Sequence, residues 1–435
     1  VKIVILGLSV TSSWGNGHAT TYRSLIRGLH ARGHEILFLE RDAPWYAGNR
    51  DQPGMAEARI EIYSSLEELT SRFEPHVRAA DLVIVGSFVP EGIAVGEWVV
   101  HTARGVTAFY DIDTPITLAK LESGDADYIS PALVRRYHLY LSFTGGPTLR
   151  RIETGFGSPM ARALYCSVDP RFYYPEPIKQ RWDLGYLGTY SDDRQPALDR
   201  LLIEPARRWT KGRFAVAGPA YPAAIRWPQN VSRIFHLEPK LHRKFYTLQR
   251  FTLNVTRSLM VAAGYSPSVR LFEAAACGTP IVSDYWAGLD SVLHLGKEIL
   301  VSESPEDTLR YLRDMPDAQR RAIGEAARAR VMAEHTLVQR AAQIETYYQE
   351  VLRNDDYVLV HPAWGNRHDR QNHHRAAAGS APQRQWPAPG GTAGAGAGAG
   401  AVPGSVRQPA GANEGNGRGS RPRAELGHPY LRGGQ

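Results

Sequence analysis

Cysteine is scarce: the chain has two in 435 residues, Cys166 and Cys277, far apart and without metal-ligand spacing. That argues against a disulfide framework and against a zinc site, and it fits a reducing compartment. Long apolar runs are missing as well. Nowhere does the chain approach the ~18 consecutive apolar residues that a membrane-spanning helix needs. The apolar start, Val1 to Val10, passes straight into Thr11-Ser12-Ser13 with no basic segment and no small-residue cleavage site. It reads as a buried strand and not as a signal peptide. Lysine is absent from the last part of the chain. From His361 to Gln435 there are nine Arg, no Lys and three acids, so this stretch carries +6 of the formal +7 and residues 1–360 carry about +1. A nearly neutral folded part offers no broad surface for nucleic acid, and any such role would rest on the tail alone.

What is present is a globular composition, 43% hydrophobic and 22% charged, in a chain long enough for two domains. Over the first 170 residues, short apolar runs alternate with helical spacing. Lys2–Leu6, Glu35–Leu39, Leu82–Val85, Val106–Tyr110, Leu139–Phe143 and Ala163–Cys166 read as strands. Tyr22, Leu25, Ile26 and Leu29 share one face of a helix between the first two, and Gly33 is placed to end it. After the Pro-containing stretch Asp169–Pro177 a second series begins, with strands at Asp183–Leu187, Phe214–Ala217, Val231–Phe235, Thr252–Val255, Pro280–Ser283 and Ile299–Val301. Helical segments are expected at about 194–209, 239–248, 267–277, 305–314, 316–332 and 336–352. Strands alternating with helices imply parallel sheets covered on both faces.

The chain therefore divides into an α/β domain over 1–170, a linker over 171–180, a second α/β domain over 181–335, a helix over 336–353 and a tail over 354–435. The tail is rich in Ala, Gly, Pro and Arg and almost devoid of large aliphatics, so it is expected to be disordered. In open parallel sheets ligands sit at the carboxyl ends of strands, so the crevice between two such sheets is the expected site.

Several strand ends carry suitable chemistry. After the first strand, Gly15, Asn16 and Gly17 form a glycine-containing loop ahead of a helix that opens with His18. The order is not the G-x-G-x-x-G of dinucleotide sites, so the loop is either a plain turn or a seat for a hydroxyl-rich group. His18 is either a helix-start histidine or a catalytic one. Asp111 and Asp113 follow the fourth strand; alternating carboxylates there can bind hydroxyls, act as a base or cap the helix entered at Pro115. Thr144-Gly145-Gly146 ends the next strand and permits close ligand approach. In the second domain, Gly188-Thr189-Tyr190-Ser191 exposes backbone N–H groups, and Arg194 can supply a charge to a diphosphate or sit on a solvated helix face. Ser268-Val269-Arg270-Leu271-Phe272-Glu273 opens a helix of small residues stopped at Gly278. Glu273 is an acid among apolar neighbours and needs a partner, which the two hydroxyls of a ribose would provide.

Ser266 to Val282 resembles the donor segment of GT-B glycosyltransferases, in the group related to the family-4 retaining enzymes. Within that group, residues 1–353 most resemble the CgeB-like (spore maturation protein CgeB/YkvP) glycosyltransferases, through Phe109–Pro115, Gly188–Ser191 and Ser268–Ala274. The resemblance implies a GT-B fold: two doubly wound Rossmann-like domains facing across a cleft. It implies a nucleotide-diphosphate sugar held by the second domain, through Gly188, Thr189, Tyr190, Ser191, Arg194, Ser268, Val269, Arg270 and Glu273. The acceptor would lie mainly on the first domain, at Gly15, Asn16, Gly17, Thr144, Gly145 and Gly146, with Asp111, Asp113 or His18 handling its hydroxyl. It further implies a last helix that crosses back to the first domain.

Family-4 enzymes often carry two glutamates eight positions apart. The second corresponds to Glu273; the first falls on Tyr265. The family's diphosphate-binding arginine and lysine fall on Thr189 and Arg194, and its catalytic-loop histidine falls near Asp111 or Asp113. Asp111-Ile112-Asp113 spells a metal motif but lies in the acceptor-side domain, so no metal is expected, and no cofactor beyond the co-substrate. The reading that follows is a cytoplasmic, metal-independent glycosyltransferase with an unidentified acceptor and no stable nucleic-acid partner. The alternatives are a nucleotide-sugar 2-epimerase and a non-catalytic nucleotide- or sugar-binding protein of the same fold.

Overall fold

The computed structural model describes residues 1–14, 17–125 and 127–360. Two wholly parallel sheets organise them. The first has the order β3-β2-β1-β4-β5-β6-β7, with β1 at Lys2–Gly7, β2 at Glu35–Arg41, β3 at Arg59–Tyr63, β4 at Leu82–Gly86, β5 at Val106–Asp111, β6 at Leu139–Ser142 and β7 at Ala161–Ala163. The second has the order β10-β9-β8-β11-β12-β13, with β8 at Trp182–Leu187, β9 at Phe214–Ala217, β10 at Val231–Ile234, β11 at Gln249–Asn254, β12 at Ile281–Ser283 and β13 at Leu300–Val301. In each, the chain starts in mid-sheet, works out to one edge and returns to build the other half. The reversal leaves a crevice at the carboxyl ends of β1 and β4, and of β8 and β11. Among the described residues no helix is long and apolar enough to cross a membrane.

Central strands are buried on both faces and read as continuous apolar runs: Ile3 to Leu6, Leu82 to Val85 and Phe214 to Ala217 are all buried. The strand expected at Ala163–Cys166 lies instead at Ala161–Ala163, and one strand escaped the sequence reading altogether. β3, Arg-Ile-Glu-Ile-Tyr, lies at the sheet edge, and only Tyr63 in it is fully buried, so its short alternation falls below the apolar-run signal. The helix expected at 194–209 is present as Gln195–Leu198, a π-helical turn at Asp199–Ile203, and Glu204–Arg208. Gly33 takes the left-handed conformation (φ +85°) just beyond the helix His18–Ala31.

The last helix, Leu337–Val360, packs against the first sheet's helical layer. Its Ala341, Ile344 and Val351 share a core with Ile3, Leu25 and Leu29. Burial of each larger side chain stabilises this docking by ~1.5–3 kcal/mol. Gly28 lets the helices meet, since a Cβ there would lie 2.3 Å from the Leu337 carbonyl oxygen. Arg32 and His34 bind Glu345 at 2.6 and 2.8 Å, and Tyr347 donates to the Ala163 carbonyl at 3.0 Å. The helix runs past the expected limit of 353 and takes in residues 354–360, which the sequence reading had assigned to the tail. The remainder of that tail, 361–435, lies outside the described residues.

Candidate functional site

The first domain builds its rim from the loop after β1. Glu40, at the end of β2, is buried and gathers this loop: it accepts from the Ser9 hydroxyl (3.1 Å), the Val10 and Thr11 amides (2.7 and 3.0 Å) and the Thr11 hydroxyl (2.6 Å). Arg23 adds a second tie, donating to the Val10 carbonyl at 2.8 Å and to Asp51 at 2.9 and 3.0 Å, and Asp51 accepts from the Ser13 amide at 2.7 Å. Burial of Asp51 opposes its charge, but the Arg23 and Ser13 donors outweigh that and hold the carboxyl at about 2. The loop is thus pinned from below, and it delivers His18 to the carboxyl end of the sheet. Gly15 and Asn16 lie outside the described residues; Gly17 caps the helix, and the space where its side chain would be is open.

His18 meets Asp113 there, Nε2 to Oδ2 at 3.5 Å. The imidazole is 9% exposed and the carboxylate 28%, so Asp113 is the member of the pair that faces outward. The ring of Phe88 stands edge-on to the imidazole at 5.6 Å. Asp111 does not join them. It is fully buried and accepts from the Tyr140 hydroxyl (2.5 Å) and the Thr117 hydroxyl (2.7 Å). Burial pushes its carboxyl up to about 6, against the pull of those two donors, with Asp113 adding to the rise. Asp111 thus bonds within the interior and is fully buried in this structure, whereas Asp113 is partly exposed.

In the second domain the sequence-chosen residues converge. Gly188 to Ser191 follow β8, with the Gly188 amide donating to Ala217 at 2.9 Å and the Tyr190 amide to Pro219 at 3.1 Å. Arg194 reaches back and donates to the Thr189 carbonyl at 2.6 Å. Arg270, in the first turn of the helix Val269–Ala276, donates to the Leu187 carbonyl (2.8 Å) and to Asn254 Oδ1 (2.7 Å) over the face of Tyr186. Its Nη2 lies beside Gly188, 3.1 Å from where a Cβ would be. Ser268 shares the same Asn254 oxygen at 2.8 Å. Val269 packs against the core of this domain. Glu273 points elsewhere: it is buried and accepts from the Tyr246 hydroxyl at 3.0 Å, with His242 at 3.8 Å. Its partners in this structure are Tyr246 and Tyr173, so a ribose would have to share or displace those contacts.

Thr144 and Gly145, expected with Gly146 on the acceptor side, make contacts that join the two domains. The Thr144 and Ser266 hydroxyls meet at 2.9 Å, and the Gly145 amide donates to the Tyr265 carbonyl at 2.9 Å. A continuous chain of contacts results: Thr114, beside Asp113, bonds Ser142 at 2.8 Å, Ser142 donates to the Thr144 carbonyl at 2.7 Å, and Thr144 meets Ser266 two residues before Ser268. The segment that follows β5, which carries Asp113, is thereby linked through β6 to the segment that leads into the helix Val269–Ala276.

The residues that sequence reasoning missed are Glu40, Asp51, Asn254 and Asp193. The last accepts from the Ser258 amide at 3.0 Å, and so ties the Gly188 loop to the short helix Ser258–Ala263 at the cleft rim. Glu40 and Asn254 were open to detection, being polar residues at the carboxyl ends of apolar strands.

Residues 194–346 match a family model described as glycosyl transferase-like. No curated protein matches. Among solved structures, the chain superposes on sucrose-phosphate synthase from Thermosynechococcus elongatus with a TM-score of 0.60 at 14% identity, covering 81% of this chain and 100% of that one. It superposes on Anabaena HepE in complex with UDP and glucose with a TM-score of 0.60 at 13% identity, covering 80% and 99%. An α-glucosyltransferase in complex with UDP-glucose and DNA containing an abasic site gives 0.59 at 12% identity, covering 80% and 99%. The chain thus has the fold of the GT-B glycosyltransferases, and its second domain carries the glycosyl transferase-like sequence pattern over residues 194–346.

Proposed function

We propose that the protein transfers a glycosyl group from a nucleotide-diphosphate sugar to a hydroxyl group of an acceptor, without a metal ion or other cofactor. One observation carries this reading. The His18–Asp113 pair, 3.5 Å apart, follows strand ends of the first sheet, the helix Val269–Ala276 starts beyond a strand end of the second, and the two segments are joined through Thr144 and Ser266 at 2.9 Å. A transferase needs a proton acceptor on one side and a charge-tolerant cradle on the other.

The donor diphosphate would lie beside the Gly188–Ser191 loop, whose Gly188 and Tyr190 amides are already bonded within the domain, and against that helix start, where the helix dipole favours anions. As the bond between the anomeric carbon and the phosphate oxygen breaks, negative charge grows on the departing diphosphate. Arg194 and the free edge of Arg270 stand where they offset it, and they supply the cationic role that a metal plays elsewhere. The acceptor oxygen attacks the anomeric carbon and its proton passes to the His18–Asp113 pair, through the more exposed Asp113. Glu273 would fix the ribose by exchanging its bond with Tyr246 for bonds from the ribose hydroxyls. Gly15, Asn16 and Gly17 would contact the acceptor from the loop before His18. The relatives solved with UDP, glucose or UDP-glucose make UDP-glucose the first donor to try.

The finer placement among CgeB-like enzymes rests on Phe109–Pro115, Gly188–Ser191 and Ser268–Ala274. Cys166 and Cys277 are both free and buried, which supports a cytoplasmic setting. The test is a thermal-shift screen over nucleotide sugars, in which a ligand at ~100 times its Kd should add about 2.7 kcal/mol of stability. It is followed by nucleotide release with and without candidate acceptors. Release that depends on acceptor supports transfer. Epimerised donor appearing without acceptor would replace it with an epimerase, and a stabilising donor that no acceptor turns over would leave a binding protein.

A further inference from the structure

Tyr265 stands at the position where family-4 enzymes carry a glutamate, and its conformation is unusual. It has φ +48°, in the left-handed region that a bulky residue enters only when its surroundings hold it there. Its backbone is bonded in two directions: its amide donates to the Ala287 carbonyl at 2.6 Å, and its carbonyl accepts from the Gly145 amide of the first domain at 2.9 Å. The ring lies between two glycines from different domains. A Cβ on Gly146 would fall 2.4 Å from Cδ2, and one on Gly288 would fall 2.3 Å from Cδ1. Both glycines have positive φ, +58° and +88°. The next residue, Ser266, makes the buried contact to Thr144, and the helix Val269–Ala276 begins three residues after that.

We propose that Tyr265 is a positioning residue that fixes the start of the donor-side helix against the acceptor-side loop 143–146, and so sets the register between the two halves of the cleft. The ring acts as a wedge that only glycine on each side admits. It touches neither reacting group. Withdrawing it would leave each domain folded, with its own core, but would free the segment that links Ser142 to Ser268. The geometry stands without the transfer reading; the effect on catalysis rests on it.

The experiment compares Tyr265→Ala, Tyr265→Phe, Gly146→Ala and the double variant Tyr265→Ala/Gly146→Ala, each in the full chain. Amide hydrogen exchange at 143–147 and 264–268 is read first, because it needs no substrate. In Tyr265→Ala, protection there falls by about tenfold while the strands of both sheets keep theirs. Tyr265→Phe retains the ring and behaves as the parent. With UDP-glucose as probe, Tyr265→Ala binds nucleotide as before but lowers kcat for transfer by about tenfold or more, and hydrolysis of donor by water rises relative to transfer. Gly146→Ala gives the same changes in the parent background and adds little, about twofold or less, once Tyr265 is alanine. The coupling identifies the wedge and separates it from the cost of a left-handed alanine, which is present in both backgrounds. Unchanged exchange at both loops in Tyr265→Ala, or a Gly146→Ala effect of equal size with and without the ring, would overturn the proposal. Altered exchange with no turnover of any donor would uphold the wedge and fault the transfer reading instead. Should Tyr265→Ala fail to fold, Gly146→Ala and Gly288→Ala carry the same comparison against Tyr265→Phe.

Discussion

Asp111 and Asp113 stand two residues apart, and removing the charge from each has opposite expected consequences. Burial pushes the Asp111 carboxyl up to about 6. An acid whose folded pKa lies above its unfolded value holds its proton more tightly in the native state. The stabilisation this brings is complete below the unfolded pKa of ~4 and is lost as pH rises through about 6. Near neutral pH the native state therefore harbours an ionised carboxylate that burial disfavours. About two units correspond to ~3 kcal/mol. Asp111→Asn keeps the shape and removes the charge. Near neutral pH it should be more stable than the parent by up to ~3 kcal/mol, less ~1 kcal/mol if the new N–H group faces the Tyr140 or Thr117 hydroxyl without an acceptor. The advantage should shrink as pH falls through about 6 and vanish well below pH ~4, where the parent's Asp111 is protonated in both states. Transfer should be kept. Asp113→Asn should do the reverse: stability within ~0.5 kcal/mol and transfer lowered by ~10²–10⁴-fold. Urea unfolding at several pH values and steady-state nucleotide release measure both. A loss of turnover in Asp111→Asn as large as in Asp113→Asn, at unchanged stability, would refute the division of roles.

Three further outcomes are expected. Turnover should survive EDTA; abolition by EDTA with rescue by manganese would return Asp111-Ile112-Asp113 to consideration as a metal motif. Glu273→Gln should fold, because Gln can still accept from Tyr246, and should bind a nucleoside diphosphate about tenfold more weakly by calorimetry; unchanged affinity removes Glu273 from the donor site. Glu345, held at about 2 by its bonds to Arg32 and His34, contributes stability above its ordinary pKa that is lost as pH falls through about 2. Glu345→Gln should therefore cost about 1 kcal/mol near neutral pH and nothing in strong acid, and an equal cost at both extremes would show that the effect lies in packing.

Much of the architecture was legible because parallel sheets hide their strands completely. All six strands expected in the second domain are found, most plainly where short runs such as Phe214–Ala217 and Ile281–Val282 are apolar and buried. β3 was not, because an edge strand that is half exposed alternates too briefly to stand out. The short helix Ser258–Ala263 was not either: it has no buried residue, so no periodic face records its packing. Most residues expected on the donor side cluster near the strand ends of the second sheet, but the strand-end rule gives place and not direction. Glu273 and Arg270 lie one helical turn apart, and one reaches toward β8 while the other turns to Tyr246.

The two aspartates show most clearly where sequence reasoning stops. In a strand, residues i and i+2 face the same side, so Asp111 and Asp113 read as a matched pair presented to one ligand. β5 ends at Asp111, however, and Asp113 already caps the next helix with φ −128° and ψ +47°. The parity that pairs them holds only while the backbone stays extended, and the turn at Ile112 cancels it. Asp111 keeps its strand orientation and points into the layer beneath, where Tyr140 and Thr117 receive it. Asp113, freed by the turn, swings out to His18, a residue 95 positions away whose place depends on Glu40 and Arg23 anchoring another loop. Which of two identical side chains turns inward and which faces out is thus decided by where a strand ends, a boundary that sequence reading places only to within one or two residues.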